Sequence, residues 1–236
     1  VNPPDPRPLD ASGRIGIYSR GEDTRLRILK AALEVFATEG YEGASTRTLA
    51  RQAGVNLPAI QYYFGSKEGL YQAVIDHIAE TMESRMAPVT AEIREALANG
   101  TPSPQDLLSL LHRMLDAFVA LITDRESPDW ESRALFFARA EIESAAALEP
   151  LYQRVMRRIV EPSTALVGRL LGRPAEHEET LLRTVALLGQ VTIFCNRKSH
   201  RVLGWTEPGE IEVRAIQAVI RAHTKAIFRH VTDVPS

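Results

Sequence analysis

The sequence predicts an all-α protein, with a small N-terminal unit of three helices followed by a larger helical body. Three observations predict it. Apolar residues recur three and four apart along most of the 236 residues, the spacing of one helix face. The period-two alternation that signals strands is missing. Gly, Pro, Ser and Asn cluster between the periodic segments, where turns belong.

Composition narrows the class. The hydrophobic fraction of 44% is that of a soluble globular protein. The longest uncharged runs, residues 52–66 (15 residues) and 184–196 (13 residues), are too short to cross a bilayer. No apolar signal-peptide centre occurs in the first 22 residues. The single cysteine, Cys195, cannot form an internal disulfide and fits a reducing cytoplasm. The net charge is −2, with +1 on residues 1–75 and −3 on the remainder. Any contact with nucleic acid must therefore rest on a few placed groups, with a modest salt dependence.

Residues 1–22 carry Pro3, Pro4, Pro6 and Pro8 with Arg7, Arg14 and Arg20. Too little of this stretch is apolar to bury, so a disordered arm is expected. Its arginines suit a minor groove, or it is a mobile leader. The first true helix is expected from Asp23 or Thr24 to Gly40, with Leu26, Leu29, Ala32, Leu33 and Phe36 inward. Thr24, Arg25 and Arg27 near its start can clamp phosphates or be ordinary solvated groups.

The informative stretch is 45–70. Ser45 caps a helix that buries Leu49, Ala50 and Ala53, and Gly54 ends it in the left-handed region. Asn56 caps a second short helix, with Pro58 tolerated in its first turn and Ile60 and Phe64 as its buried side. Two short helices joined by such a turn make a helix-turn-helix. Its outward residues decide its use. Thr46 and Arg47 open the first helix; Leu57, Pro58, Ala59, Gln61 and Tyr62 cover the second, without Glu or Lys. Small apolar groups suit thymine methyls, a Gln amide pairs with an adenine edge, and Thr or Tyr hydroxyls reach phosphates. Tyr63 and Lys67 are expected on the backbone, Lys67 at the start of the next helix.

These residues resemble the DNA-binding segment of TetR-family transcriptional regulators over about 25–76. The carriers are Thr46-Arg47-Thr48-Leu49-Ala50, the turn Ala50-Arg51-Gln52-Ala53-Gly54-Val55, Tyr62-Tyr63-Phe64 and Ser66-Lys67-Glu68-Gly69-Leu70. Leu57-Pro58-Ala59 departs from the commoner Lys/Gly/Thr-like helix start, so the resemblance implies a docking mode but no base preference. It implies a bacterial, cytoplasmic regulator, nucleoid-associated when bound.

Beyond, everything reads helical. Leu70, Val74, Ile78 and Met82 mark a helix into the mid-eighties, with Pro88 as its end or a break, and a further segment over 88–98. Residues 104–124 are apolar nearly all round and belong in the centre. Helices follow at about 129–147, 150–171 with a kink at Pro162, 175–201 and 208–231. The domains are therefore expected as an arm (1–22), a helix-turn-helix domain (23–70) and a helical ligand-binding and dimerisation domain (71–236). The last helix carries Ile216, Val219, Ile220, His223 and Ile227 at seam spacing. With the helix before it, this makes either a four-helix interface between two chains or the end of one core. One short recognition helix covers few base pairs, which favours the dimer. Arg133 to Glu141, Glu149-Pro150-Leu151-Tyr152 and the Gly189-Gln190 to Gly204-Trp205 segment also resemble the CerR-type regulatory domain of some TetR-family members.

No catalytic signature is present, so an enzyme is not expected. His177-Glu178-Glu179 lacks the second histidine of a zinc helix, and neither metal nor cofactor is expected. Phe118, Trp130, Arg133, Phe137, Glu141, Tyr152, Gln190 and Phe194 can line a pocket for an unidentified small-molecule effector, or pair among themselves. Arg139 with Glu143 is one such internal pair. The expected function is a ligand-released repressor binding a palindromic operator as a homodimer. The alternative is control by redox chemistry at Cys195 or by protein contacts.

Overall fold

The computed structural model describes residues 15–124, 127–143, 145–195, 197–205 and 209–232, and among these there is helix and no strand. The chain packs as two compact units, Val1–Val74 and Ile75–Ser236.

In the first unit, α1 spans Ile15–Gly43, α2 Thr46–Gln52 and α3 Leu57–Phe64, and α4, Lys67–Asn99, begins there. The helix starts upstream of Asp23. No proline follows Pro8 before Ile15, so nothing in the local sequence stops it there. Residues 1–14 and the side chain of Arg20 lie outside the described residues. Gly40, at φ 76° and ψ 175°, breaks α1 where the sequence placed its end. Ile28, Leu29, Ala32, Leu33 and Phe36 of α1 are buried with Leu49, Ala50 and Ala53, Ile60, and Leu70 and Val74. The rings of Phe36, Tyr41 and Tyr71 close this core, with Tyr71 edge-on at 5.0 Å to both others. Leu26 does not belong to it. The buried face turns toward Ile28 and Val35, leaving Leu26 at its margin, 38% exposed.

In the second unit α4 continues through Pro88 instead of stopping there. Met86, Val89 and Ile93 on both sides of it are buried, and that burial offsets the lost hydrogen bond, a penalty of about 3 kcal/mol. The remaining helices are α5 Pro104–Thr123, α6 Trp130–Glu143, α7 Glu149–Val155, α8 Glu161–Leu171, α9 Glu178–Thr192, α10 Arg197–Leu203 and α11 Glu210–Thr232. Ser103 and Asp106 start α5 with a reciprocal capping box. Leu111, Met114, Leu115 and Val119 make α5 the centre of a core shared with α8, α9 and α11.

Two expected helices are each divided. The break in 150–171 falls on a π turn, Met156–Val160, and Pro162 takes the first turn of α8. A wide turn before a proline relieves the ring's clash with the preceding carbonyls, and two hydroxyls take up carbonyls there. Ser163 Oγ donates to Ile159 O at 2.6 Å and Thr164 Oγ1 to Val160 O at 2.7 Å. The stretch 175–201 breaks at a 3-10 turn, Ile193–Cys195, whose carbonyls accept from Ser199 Oγ at 2.8 Å and from buried His200 Nε2 at 2.7 Å.

The expected dimer seam divides as well. Ile216 and Ile220 are buried in their own core against α5, Ile227 packs half-buried, and Val219 and His223 are exposed. The exposed apolar face lies one position round the helix, at Ala215, Ala218, Val219 and Ala222. On α9 it continues through Leu182, 63% exposed, Val185, 62% exposed, Ala186 and Gly189. The contact of His223 Nδ1 with Gln190 Oε1 at 3.0 Å holds the two helices side by side.

Arg154 ties the π-turn region to α4, bonding Glu83 at 2.6 Å and approaching Asp76 at 3.7 Å, while Arg158 lies 3.8 Å from Glu83. The hydrogen bond from Arg154 holds the Glu83 carboxyl below the usual carboxylate range, against the burial that would raise it. A depressed carboxylate contributes stability above its unfolded value and loses it as pH falls through its folded one. Thermal unfolding of Glu83→Gln should therefore trail the parent at pH 7, with the gap closing below about pH 4.

Candidate nucleic-acid interface

The interface is built by two caps. Ser45 Oγ accepts from the Thr48 amide at 3.0 Å, and Asn56 Oδ1 accepts from the Ala59 amide at 3.1 Å. Gly54, at φ 61°, turns the chain between α2 and α3, with Val55 N donating to Ala50 O at 3.0 Å. Ile60 alone on α3 is fully buried, and Leu57, Pro58, Gln61 and Tyr62 turn outward.

A shallow open depression is lined by Thr46, Leu57, Pro58, Ile60, Gln61, Tyr62, Ser66 and Lys67, from three successive helices. Leu57 is 45% and Tyr62 82% exposed, Pro58, Gln61 and Arg47 are exposed, and Thr46 and Ala59 are half-buried. Tyr63 is half-buried, its ring 5.0 Å from that of Tyr62 and near-perpendicular to it. No acidic residue stands in the first turn of α2 or α3, so nothing there repels a phosphate. The rim offers hydroxyl and amide groups around an apolar floor, with exposed Arg47 next in sequence to Thr46, the chemistry of a base edge flanked by phosphates.

Four placements differ from the sequence expectations. Phe64 is half-buried, and the Arg25 guanidinium lies 5.6 Å from its ring centroid, so Arg25 is held against the unit's own surface. Lys67 turns inward: its Nζ donates to Tyr41 O at 2.8 Å and to Ala44 O at 3.1 Å, and sits 4.4 Å from the Tyr41 ring centroid. Thr24 is half-buried and engaged. Sequence reasoning missed Gly69. A Cβ there would stand 2.1 Å from the carbonyl oxygen of Phe64, so only glycine lets α4 start so close to the end of α3. The signal available was a glycine inside the first turn of a helix, where it has no propensity to recommend it.

Most of the eight residues expected around a pocket have packing or hydrogen-bond partners within the chain. Phe118 is buried in the core and Phe194 packs against it. Trp130 Nε1 donates to Ile122 O at 2.9 Å, and buried Arg133 pairs with Asp129 at 3.5 Å. Phe137 is half-buried beside Phe136, Tyr152 bonds Glu141 at 3.3 Å, and Gln190 is taken by His223. The polar groups of Trp130, Arg133, Tyr152 and Gln190 thus find partners within the chain. Arg139 and Glu143 do pair, at 3.3 Å. A cavity of ≈10 Å³, lined by Met82, Glu83, Met86, Leu151, Arg154 and Ile159 among others, holds about one water. Among the described residues no His, Cys, Asp and Glu group could hold a metal, and no helix is long and apolar enough to cross a membrane. The Cys195 side chain lies outside the described residues.

Residues 28–74 match the family model of bacterial regulatory proteins of the tetR family. Residues 107–230, more than half of the chain, match the C-terminal domain of the HTH-type transcriptional dual regulator CecR, the CerR-type of the sequence reading. The chain belongs to the TetR family. It is a DNA-binding transcriptional regulator with a CecR-type C-terminal domain, and proteins of this kind are regulators, not enzymes. The dual regulator CecR of Shigella flexneri is 29% identical over 89% of this chain and 93% of its own length. The nicotine-responsive transcriptional repressor HdnoR of Paenarthrobacter nicotinovorans is 29% identical over 44% of this chain and 48% of its own. A TetR-like regulator from Rhodococcus sp. RHA1 shares the fold, with a TM-score of 0.60 at 22% identity, over 86% of this chain and 95% of that one.

Proposed function

We propose that this TetR-family protein is a repressor that binds a palindromic operator as a homodimer and is released by a small molecule. The observation that carries the reading is the outer surface of α3. Leu57, Gln61 and Tyr62 are exposed without a charged neighbour on that helix, while Ile60 pins the opposite side. A solvated helix gains nothing from that surface; the edge of a base pair does. Thr46, Arg47 and Tyr63 would hold the backbone beside it.

The exposed face of Leu182, Val185, Ala186 and Gly189 with Ala215, Ala218 and Ala222 supports pairing of two chains. Small residues let helix axes approach, and a two-fold axis would double the operator at half-sites about 34–36 Å apart or a multiple of that. A small-molecule effector is supported by the nicotine response in the name of HdnoR. It would act by binding better to the dimer state with lower operator affinity.

Gln61→Ala tests the reading. Binding selection against randomised operators should show a loss of about 1–3 kcal/mol and relaxed preference at one base pair in each half-site. An unchanged preference profile would remove α3 from the role of reader.

A further inference from the structure

The side chain of Lys67 fixes the approach to α2. Its ammonium has three N–H donors, and two of them go to the carbonyls of Tyr41 and Ala44. The Tyr41 ring lies beneath the charge and packs in turn on Phe36 and Tyr71 of the core. These carbonyls belong to the hook that follows the break of α1 at Gly40, where the last carbonyls of the helix carry partial negative charge. Ala44 is followed at once by Ser45, the cap of α2, and then by Thr46 at the edge of the depression. The Lys67 backbone, at the start of α4, meets the same depression. One side chain thus spans from the start of α4 to the entrance of α2.

We infer that Lys67 is a positioning residue for DNA reading, holding the 41–44 hook and hence the N-terminus of α2 in register with α3, and is not itself a phosphate ligand. The inference rests on the DNA-binding role of α2 and α3, so the test needs one readout with DNA and one without. A phosphate ligand contributes a slope of about −0.9 to the dependence of log affinity on log salt. A positioning residue leaves that slope alone and lowers affinity at every salt concentration. Its loss should also loosen one segment of the free protein, with the α1 core undisturbed.

The variants are Lys67→Met, which keeps the apolar stem, and Lys67→Gln, which keeps N–H donors without the charge. In the free protein, amide hydrogen exchange should accelerate at residues 44–48 while residues 28–36 keep their protection. Affinity for duplex carrying the selected site should fall about tenfold or more for Met and less for Gln, in lines parallel to the parent's against salt. If Lys67→Met does not fold, Lys67→Gln carries the same two readouts. Unchanged exchange at 44–48 with a slope shallower by about 0.9 in either variant would overturn the inference. Should the parent bind no duplex at all, the exchange result still decides whether Lys67 holds the hook, separately from the DNA reading.

Discussion

Gly69→Ala is expected to abolish operator binding and to destabilise the first unit by on the order of 3 kcal/mol, the upper range for forced overpacking. The added Cβ would meet the Phe64 carbonyl oxygen at 2.1 Å and its carbon at 3.3 Å. Neither can retreat cheaply. Phe64 ends α3, its carbonyl accepts from Ser66 N at 2.8 Å, and Gly65 closes the helix at φ 75° by bonding Gln61 O at 3.0 Å. Room for a methyl group must come from moving α3, which is the element that carries Gln61 and Tyr62. Urea unfolding followed by circular dichroism should show the loss. Gly100→Ala is the control, because a Cβ there meets nothing within 4 Å and should change stability by less than about 0.5 kcal/mol.

Val185→Glu is expected to leave each chain folded and to separate the pair. The side chain is 62% exposed on the single chain, so a carboxylate there remains hydrated in the monomer. In a two-fold interface it would be desolvated, with its symmetry mate close by, a cost of several kcal/mol per dimer. Sedimentation velocity should then find single chains at concentrations where the parent pairs, a weakening of about a hundredfold or more. Operator affinity should fall with it, since each half-site alone offers one short helix. A variant that still pairs would place the interface elsewhere.

What the sequence made legible follows from the range of the physics involved. The caps Ser45 and Asn56, the left-handed Gly54 and the buried Ile60 depend on neighbours within four residues, and all stand as read. So does α5, whose apolar surface leaves it no place but the centre. Features set by distant partners were not legible. Which side of α11 faces its own core was decided by α5, and a shift of one position moved Ile216 and Ile220 inward. Lys67 looked like a surface cation because its acceptors, Tyr41 and Ala44, lie more than twenty residues upstream. The partners of the polar residues expected around a pocket were not legible either, Gln190 with His223, 33 residues apart, most plainly. Pro162 signalled the break at Met156–Val160, whereas the one at Ile193–Cys195 came without a turn signal of its own, its carbonyls being satisfied by Ser199 and His200 of the following helix.

The most direct measurement is hydroxyl-radical footprinting of the purified protein on promoter DNA from its own locus, with the number of bound chains counted on the same fragment. Two protected segments related by a dyad, one helical turn or a multiple apart, occupied by paired chains, are the predicted result. Protection of no fragment, or one asymmetric patch held by a single chain, would contradict the account.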